Sequence, residues 1–375
     1  MAGQKKCPTL FTVPPHHDLY LRFSKMAKEI YSEYTSRVEP FGLDECWLDV
    51  SEAASLFGSG EALAHLLRKR IRQELGLTVS IGVSFNKIFA KLGSDMKKPD
   101  AVTVIPAGSF QEKIWPLPVE SLLYVGKSTQ KRLENLGIHT IGELACTDVL
   151  LLQRLLGKIG SRLWSFANGL DHSPVSSPKE TRGIKSIGNS ATPYRDLTTV
   201  QDMKILLCFL SESVARRLRE QGLRCRSVQV ILRDNRLFSF ERQKTLPVPV
   251  ETSKEIYDAV FQLYLENDIH RPYRSVGVRA CDLSRREGEQ LSLFSEIERK
   301  KEERLETAVD NIRRRFGEAS ILRGLMLSYG ALSPLRPKEA SPDAYPVHFP
   351  FSEACPAVFS SFHVGKELCY AENLC

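Results

Sequence analysis

The sequence runs to 375 residues with 42% hydrophobic content, enough to bury more than one core and too apolar for a disordered chain. Lysine and arginine outnumber aspartate and glutamate by 52 to 45, a balance of +7 with a pI near 8.9, which favours a polyanionic partner without naming one. Nine cysteines lie scattered, with no C-x-x-C pair and no cysteine and histidine cluster at zinc spacing, so a disulfide framework is excluded and reduced thiols are expected. No apolar run approaches the roughly 20 residues of a membrane span, and the opening MAGQKKCPTL lacks the apolar stretch of a signal peptide, so no membrane partner and a cytoplasmic location are expected.

Cys7, Pro8, Val13, Pro14 and Pro15 open the chain as the middle of a domain would. Leu19, Phe23, Met26, Ile30 and Tyr34 recur at steps of three and four and predict a helix over 18–35. From Arg37 the period changes, and RVEPFGLDECWLDV reads as two short strands around an acidic pair. A leucine- and arginine-rich helix over 59–75, the strand LTVSIGVS and a helix starting near Asn86 complete an interleaved α+β domain. Short helices punctuated by glycine fill 115–171, and the polar segment from His172 reads as a linker over 172–183. Residues 184–284 parse as strand, helix, strand, strand, helix, strand. Met203, Leu206, Leu210, Val214 and Leu218 stripe the first of those helices, with Gly222 as its cap. In the following strand Val228, Val230 and Leu232 alternate with Ser227, Gln229 and Arg233, which predicts one dry and one wet face. A charged stretch then leads to a helix striped by Leu305, Val309, Ile312 and Phe316, and the last forty or so residues carry no pattern.

Asp44 and Glu45 stand where two strands meet, with Asp49 close by, and adjacent carboxylates repel unless a cation lies between them. Magnesium suits such a site, because two Mg2+ ions about 4 Å apart stabilise the attacking and leaving oxygens of a phosphoryl displacement. An isolated Asp-Glu pair is more commonly a solvated turn. Downstream, Lys87 and Lys91 lie one helical turn apart and Lys97 and Lys98 precede Pro99, a grouping able to hold a triphosphate or simply to face water.

Together these segments are specific. FGLDECWLDVSE resembles the S-I-D-E-A-F-L-D-V-S signature of the Y-family (DinB/UmuC-type) DNA polymerases, and SIGVSFNKIFAKLGSDMKKPDA resembles their S-I-G-I-A-x-N-K-x-L-A-K-x-A-S-D-x-x-K-P-x-G segment. The similarity continues in order to Leu332. It implies an α+β multidomain fold: a partial polymerase palm with a remnant of the fingers (1–114), a small helical thumb with helix-hairpin-helix (115–171), the linker (172–183), a βαββαβ little finger domain (184–284), and a clamp-binding motif, helix and tail (285–375). The implied activity is DNA-directed DNA polymerisation in translesion synthesis, DNA repair and the SOS response, by a monomer acting on primer-template DNA and deoxynucleoside triphosphates with two Mg2+ ions. By the same resemblance Asp44 is a metal ligand and Glu45 aligns the primer 3′-hydroxyl and the catalytic metal. Lys98 and Lys87 bind the triphosphate, while Asn86 and Asp95 shape the palm and Asp49 is structural.

The hairpin Val125, Gly126 and Lys127 is expected to grip DNA phosphates through exposed backbone N–H groups, with a second hairpin in LLGKIGSRLW. Ser186, Arg195, Arg224, Arg226, Arg233 and Arg236 are the little finger's expected backbone contacts. Gln290, Leu291, Ser292, Leu293 and Phe294 spell QLSLF among charges and resemble the β sliding clamp motif of bacterial replication proteins. Two departures stand out. Gly42 replaces the family's serine. The family's opening strand with D-x-D-x-F-F, its steric gate and its Y-x-A-R clamp have no counterpart in the sequence, because Cys7 to Pro15 already match the end of the fingers. The first metal aspartate is therefore expected to be missing, with an exposed sheet edge in the palm, and a non-catalytic DNA-binding and clamp-binding remnant is the alternative reading.

Overall fold

The computed structural model describes residues 15–177, 183–285, 296–317, 320–327, 363–364 and 367–374, with isolated positions before residue 15. The chain forms two compact units, one of residues 1–181 with 356–375 and one of residues 182–355.

The first unit begins with α1 (His17–Ser32), the antiparallel pair β1 (Val38–Pro40) and β2 (Glu45–Leu48), the short α2 (Ala54–Phe57), α3 (Gly60–Leu75), β3 (Thr78–Ser84), α4 (Lys87–Met96) and β4 (Val102–Ile105). Ser59 caps α3 by accepting from the Ala62 N–H, and Gly76 ends it at φ 70°, where a side chain would be strained. Asn86 caps α4 by accepting from the Phe89 N–H at 2.8 Å, and its amide donates to the Gly169 carbonyl at 3.2 Å. Five helices follow: α5 (Phe110–Ile114), α6 (Lys127–Glu134), α7 (Ile141–Cys146), α8 (Val149–Leu156) and α9 (Lys158–Ala167). They share a core with α4 that includes Phe89, Ile114, Leu133, Ile141, Leu152 and Leu163. The start of the expected linker is not free chain: Val175 is buried with α1, α3 and the sheet, and Ser176 donates its N–H to the Glu39 carboxylate at 2.6 Å.

The second unit follows the expected order: β5 (Ser186–Ala191), α10 (Val200–Glu220), β6 (Leu223–Asp234), β7 (Ser239–Val250), α11 (Ser253–Asn267) and β8 (Tyr273–Arg285), then α12 (Glu296–Phe316) and α13 (Gly324–Leu327). Its strands lie in the order β5-β8-β6-β7, every neighbouring pair antiparallel. Met203, Leu206, Leu210, Val214 and Leu218 of α10 share one core with Val228, Val230 and Leu232 of β6. Each of these large side chains contributes about 1.5–3 kcal/mol by leaving water.

Two expectations fail in this unit. On the face of β6 opposite that core Arg233 is exposed as expected, but Ser227 and Gln229 are buried; the Ser227 hydroxyl bonds to Asp282 and lies 3.2 Å from the Thr245 hydroxyl. On α12, Leu305, Ile312 and Phe316 are exposed, whereas Glu306 and Arg313 are buried. The surface that receives α12 offers Arg219, Glu212 and Ser253, so the helix turns its charged side inward.

The chain then rejoins the first unit. β9 (His363–Val364) pairs with β10 (Glu367–Leu374), and β10 lies between β2 and β3, antiparallel to both, in the order β1-β2-β10-β3-β4. Its register sets Ala371 level with Cys46, Tyr370 with Trp47 and Gly82, and Glu372 with Glu45 and Ser80. The expected open edge is thus paired. The segment 285–375, read from sequence as one trailing piece, is divided between the units because its final strand completes the sheet of the other.

Candidate active site and nucleic-acid interface

Asp44 occupies the bend before β2, and Glu45 is the strand's first residue. Cys46 and Leu48 enter the core with Leu63, Leu67 and Ile71, so strand alternation carries Glu45 and Trp47 to the other face. There α4 lies directly on the sheet: a Cβ at Gly82 would stand 1.9 Å from the Ala90 carbonyl oxygen and 2.6 Å from the Ser94 nitrogen, an approach that only glycine permits. Lys91, projecting from α4, places its ammonium 2.7 Å from the Glu45 carboxylate and 3.0 Å from Asp95. Asp95 in turn lies 2.9 Å from the ammonium of Lys98, just past the helix end. Glu45 and Lys98 are the two ends of one chain of alternating charge.

The two lysines expected to bind a triphosphate part company. Lys98 stays partly open to solvent, but Lys87 is buried, ion-paired to Glu39 and 5.2 Å from the centre of the Trp47 ring. Trp47 Nε1 donates to the Lys87 carbonyl at 3.0 Å, which fixes that turn of helix to β2. Lys87 is therefore an internal strut, and the sequence hid this because its partner Glu39 is distant along the chain. Asp49 accepts from the Ser51 N–H at 3.1 Å and hydroxyl at 2.6 Å, which ties down the turn after β2.

Hard divalent cations take carboxylate oxygens, and Asp44 and Glu45 are of that kind. Among the described residues no group of three or more histidine, cysteine, aspartate or glutamate side chains gathers to hold an ion. Burial pushes the Cys208 thiol up to about 11 and the Cys225 thiol up to about 12. Both are inert core residues.

In the helical part Val125 is buried, while Gly126 and Lys127 are exposed where α6 begins. No side chain caps that helix, so its first amides face outward with the positive end of the helix dipole. Gly157, at φ 70°, links α8 to α9 with exposed Lys158 beside it, a second such turn.

On the second sheet Arg226, at a bulge in β6, and Arg233 and Arg236 near the strand's end are exposed, and Ser186 begins β5 half-buried. Arg195 forks onto Asp202 with contacts of 2.6 and 3.0 Å. Arg224 is partly buried, its side chain 12% exposed, and lies 3.5 Å from Glu251 and 3.3 Å from Glu303 of α12, an internal tie where an open contact was expected. Arg279 was missed. It stands half-exposed on β8, level with Gly188 on one side and Gln229 on the other, and Gly188 leaves room for it. Its signal was the alternation of Val276, Val278 and Ala280 with Ser275, Gly277 and Arg279. Gln290, Leu291, Leu293 and Phe294 lie outside the described residues, and among the described residues no helix is long and apolar enough to cross a membrane.

The profile of the impB/mucB/samB family matches residues 2–95, that of the impB/mucB/samB family C-terminal domain matches 184–293, and that of the DNA polymerase-iota thumb domain matches 121–171. DNA polymerase IV of Acetivibrio thermocellus is 52% identical over 328 residues, covering 87% of this chain and 82% of the relative. DNA polymerase IV of Pelotomaculum thermopropionicum is 38% identical over 323 residues, covering 86% and 80%. Among solved structures, a Y-family DNA polymerase chimera of Dbh and Dpo4 has the same fold, with a TM-score of 0.66 at 21% identity over 76% of this chain and 82% of that one. An acid pair beside lysines on a sheet, a helical domain with glycine turns and a separate four-stranded sheet backed by helices define, with these relatives, a DNA-directed DNA polymerase, a nucleotidyltransferase. The chain belongs to the Y family of DNA polymerases, on its DinB-type branch.

Proposed function

We propose that this polymerase adds deoxynucleotides opposite damaged template bases at the site between Asp44, Glu45 and Lys98. The observation that carries the reading is the ionic chain from Glu45 through Lys91 and Asp95 to Lys98, with links of 2.7, 3.0 and 2.9 Å, which holds an acid end and a cationic end in one site. Asp44 and Glu45 would hold magnesium, two ions when the nucleotide is bound, supplying electrostatic stabilisation of the phosphoryl oxygens. Glu45 orients the primer terminus, and Lys98 meets the triphosphate as a point charge at the end of α4. Lys91 neutralises Glu45 in the absence of other cations and keeps its carboxylate in place.

Gly126, Lys127 and the outward amides of α6 take a DNA phosphate without reading sequence. Arg226, Arg233, Arg236, Ser186 and Arg279 line the second sheet for the duplex backbone, so affinity falls steeply with salt. The QLSLF segment, residues 290–294, engages a β sliding clamp, and the chain works in the cytoplasm as a monomer during the SOS response.

Primer extension by the purified chain tests the reading. Asp44→Ala should lower incorporation by about a thousandfold while leaving DNA affinity unchanged. Lys98→Ala should raise KM for the nucleotide about tenfold and leave DNA affinity alone. A chain that binds primer-template DNA and extends it at no measurable rate overturns the catalytic reading. It would support the alternative reading, a non-catalytic DNA-binding remnant.

A further inference from the structure

β10 comes from beyond residue 362, yet it lies inside the sheet that carries Glu45. It is antiparallel to β2 on one side and to β3 on the other, and β2 and β3 do not pair with each other. Without β10 the sheet would divide into β1-β2 and β3-β4, each with an open edge next to a hydrophobic core. Those two halves hold opposite ends of the site. β2 carries Glu45, and β3 carries Gly82, on which α4 and its Lys91 rest. A strand between them sets β2 and β3 about 9–10 Å apart, twice the usual strand spacing. α4 packs on both β3 and β10, and from there its Lys91 reaches Glu45 of β2 at 2.7 Å.

The register agrees with the chemistry of the neighbours. Ala371 is level with Cys46, and Cys369 is level with Leu48 and Val83; Cys46, Leu48 and Val83 all belong to the core. Glu372 falls level with Glu45.

We infer that Glu367–Leu374 is a built-in complementing strand: the catalytic sheet is assembled by the chain's own C-terminal segment, and the Glu45 to Lys91 geometry depends on its insertion. The inference goes beyond the proposed reaction, and its first readout involves no catalysis.

Cross-linking reads the register directly. Paired residues on antiparallel strands have Cα atoms about 4.5–5.5 Å apart, within disulfide reach. In Ala371→Cys, mild oxidation followed by peptide mapping should yield a bond from the introduced thiol to the native Cys46. In Tyr370→Cys, whose position falls on the other face, the bond to Cys46 should form at least about tenfold more slowly. Equal yields from the two variants overturn the inference.

Hydrogen exchange reads the consequence. A chain ending at residue 355 should lose protection at the amides of β2 and β3 by at least about tenfold, and a synthetic peptide of residues 356–375 should restore it where a scrambled peptide does not. Should the shortened chain fail to fold, Tyr370→Pro in the full chain, which removes one ladder donor, should expose the same amides. Unchanged exchange in both variants also overturns the inference.

Discussion

Each unit of the molecule contains a run of alternating charges, and the two runs serve opposite ends. In the first unit the run starts at Glu45 and Lys91, each 12% exposed, and opens to solvent at Asp95 and Lys98, whose side chains are 42% and 28% exposed. In the second, Glu306 and Asp310 of α12 grip Arg219, and Glu212 of α10 grips Arg313 and Arg323 at 2.9 and 2.5 Å. Arg219 and Glu306 are each 9% exposed, and Glu306 also accepts from the Ser253 N–H at 2.8 Å. Burial pushes the Glu306 carboxyl up against the pull of Arg219 and Ser253. A half-exposed pair is worth roughly 0–1 kcal/mol, so its members can exchange partners with a ligand at little cost. A buried one has nothing to exchange with, and losing a partner strands a charge in a low-dielectric setting.

The largest expected effect sharpens this contrast on the catalytic side. Asp44→Ala should reduce single-turnover incorporation by about a thousandfold, roughly 4 kcal/mol of transition-state stabilisation, with the thermal midpoint moved by no more than about 2–4 °C. On the structural side, Glu306→Ala should cost the second unit about 1–3 kcal/mol in urea denaturation, because buried Arg219 would lose one of its two acids and the Ser253 N–H its acceptor. Where the variant is still folded, its rate of incorporation should match that of the parent. Lys98→Ala should change stability by less than about 1 kcal/mol. Equal losses of stability from Glu306→Ala and Lys98→Ala would erase the distinction.

The same contrast explains what could be read from residue order. The stripe on α10 and the succession of elements in the second unit were legible because apolar periodicity decides them, and Met203, Leu206, Leu210, Val214 and Leu218 are all buried as that rule requires. Glu45 and Lys98 were found through a motif, and the motif conveyed their nearness without the means: Lys91 and Asp95 as relay, and Gly82 as the spot where the helix touches the sheet. Charged residues misled wherever burial decided their role. Lys87, Arg224 and the inward side of α12 are hydrophilic by type and internal by place, with Glu39, Glu303 and Glu212 far away in sequence. Periodicity assigned α12 the wrong face because it assumes that a helix packs through its apolar side, and this one packs through ion pairs. The strand at 367–374 was invisible because its partners lie some three hundred residues earlier, and nothing local distinguishes a strand that fills a gap from a tail.

Two arginines close together on β6 bring the contrast down to single residues. Arg226→Ala should weaken DNA binding several-fold at moderate salt and reduce the slope of log affinity against log salt by about one, with stability unchanged. Arg224→Ala should do the reverse, lowering the urea midpoint of the second unit while leaving the salt slope intact, since its guanidinium is committed to Glu251 and Glu303. A salt slope that moves with Arg224 would show that the internal tie opens on DNA.

The smallest effect concerns pH. Burial drives the Asp202 carboxyl upward, but the Arg195 fork and the N–H groups of Thr198 and Thr199 outweigh it and hold the group at about 2, below its ordinary 3.8. A carboxylate whose folded value is depressed adds stability that is fully present above its unfolded value and is lost as pH falls through the folded one. Between pH of about 4 and about 2 the second unit should therefore lose stability partly through Asp202. Asp202→Asn should be less stable at pH 6 and show a shallower decline over that interval, so that urea midpoints of variant and parent converge near pH 2. Parallel curves would mean that Arg195 does not hold Asp202 in solution.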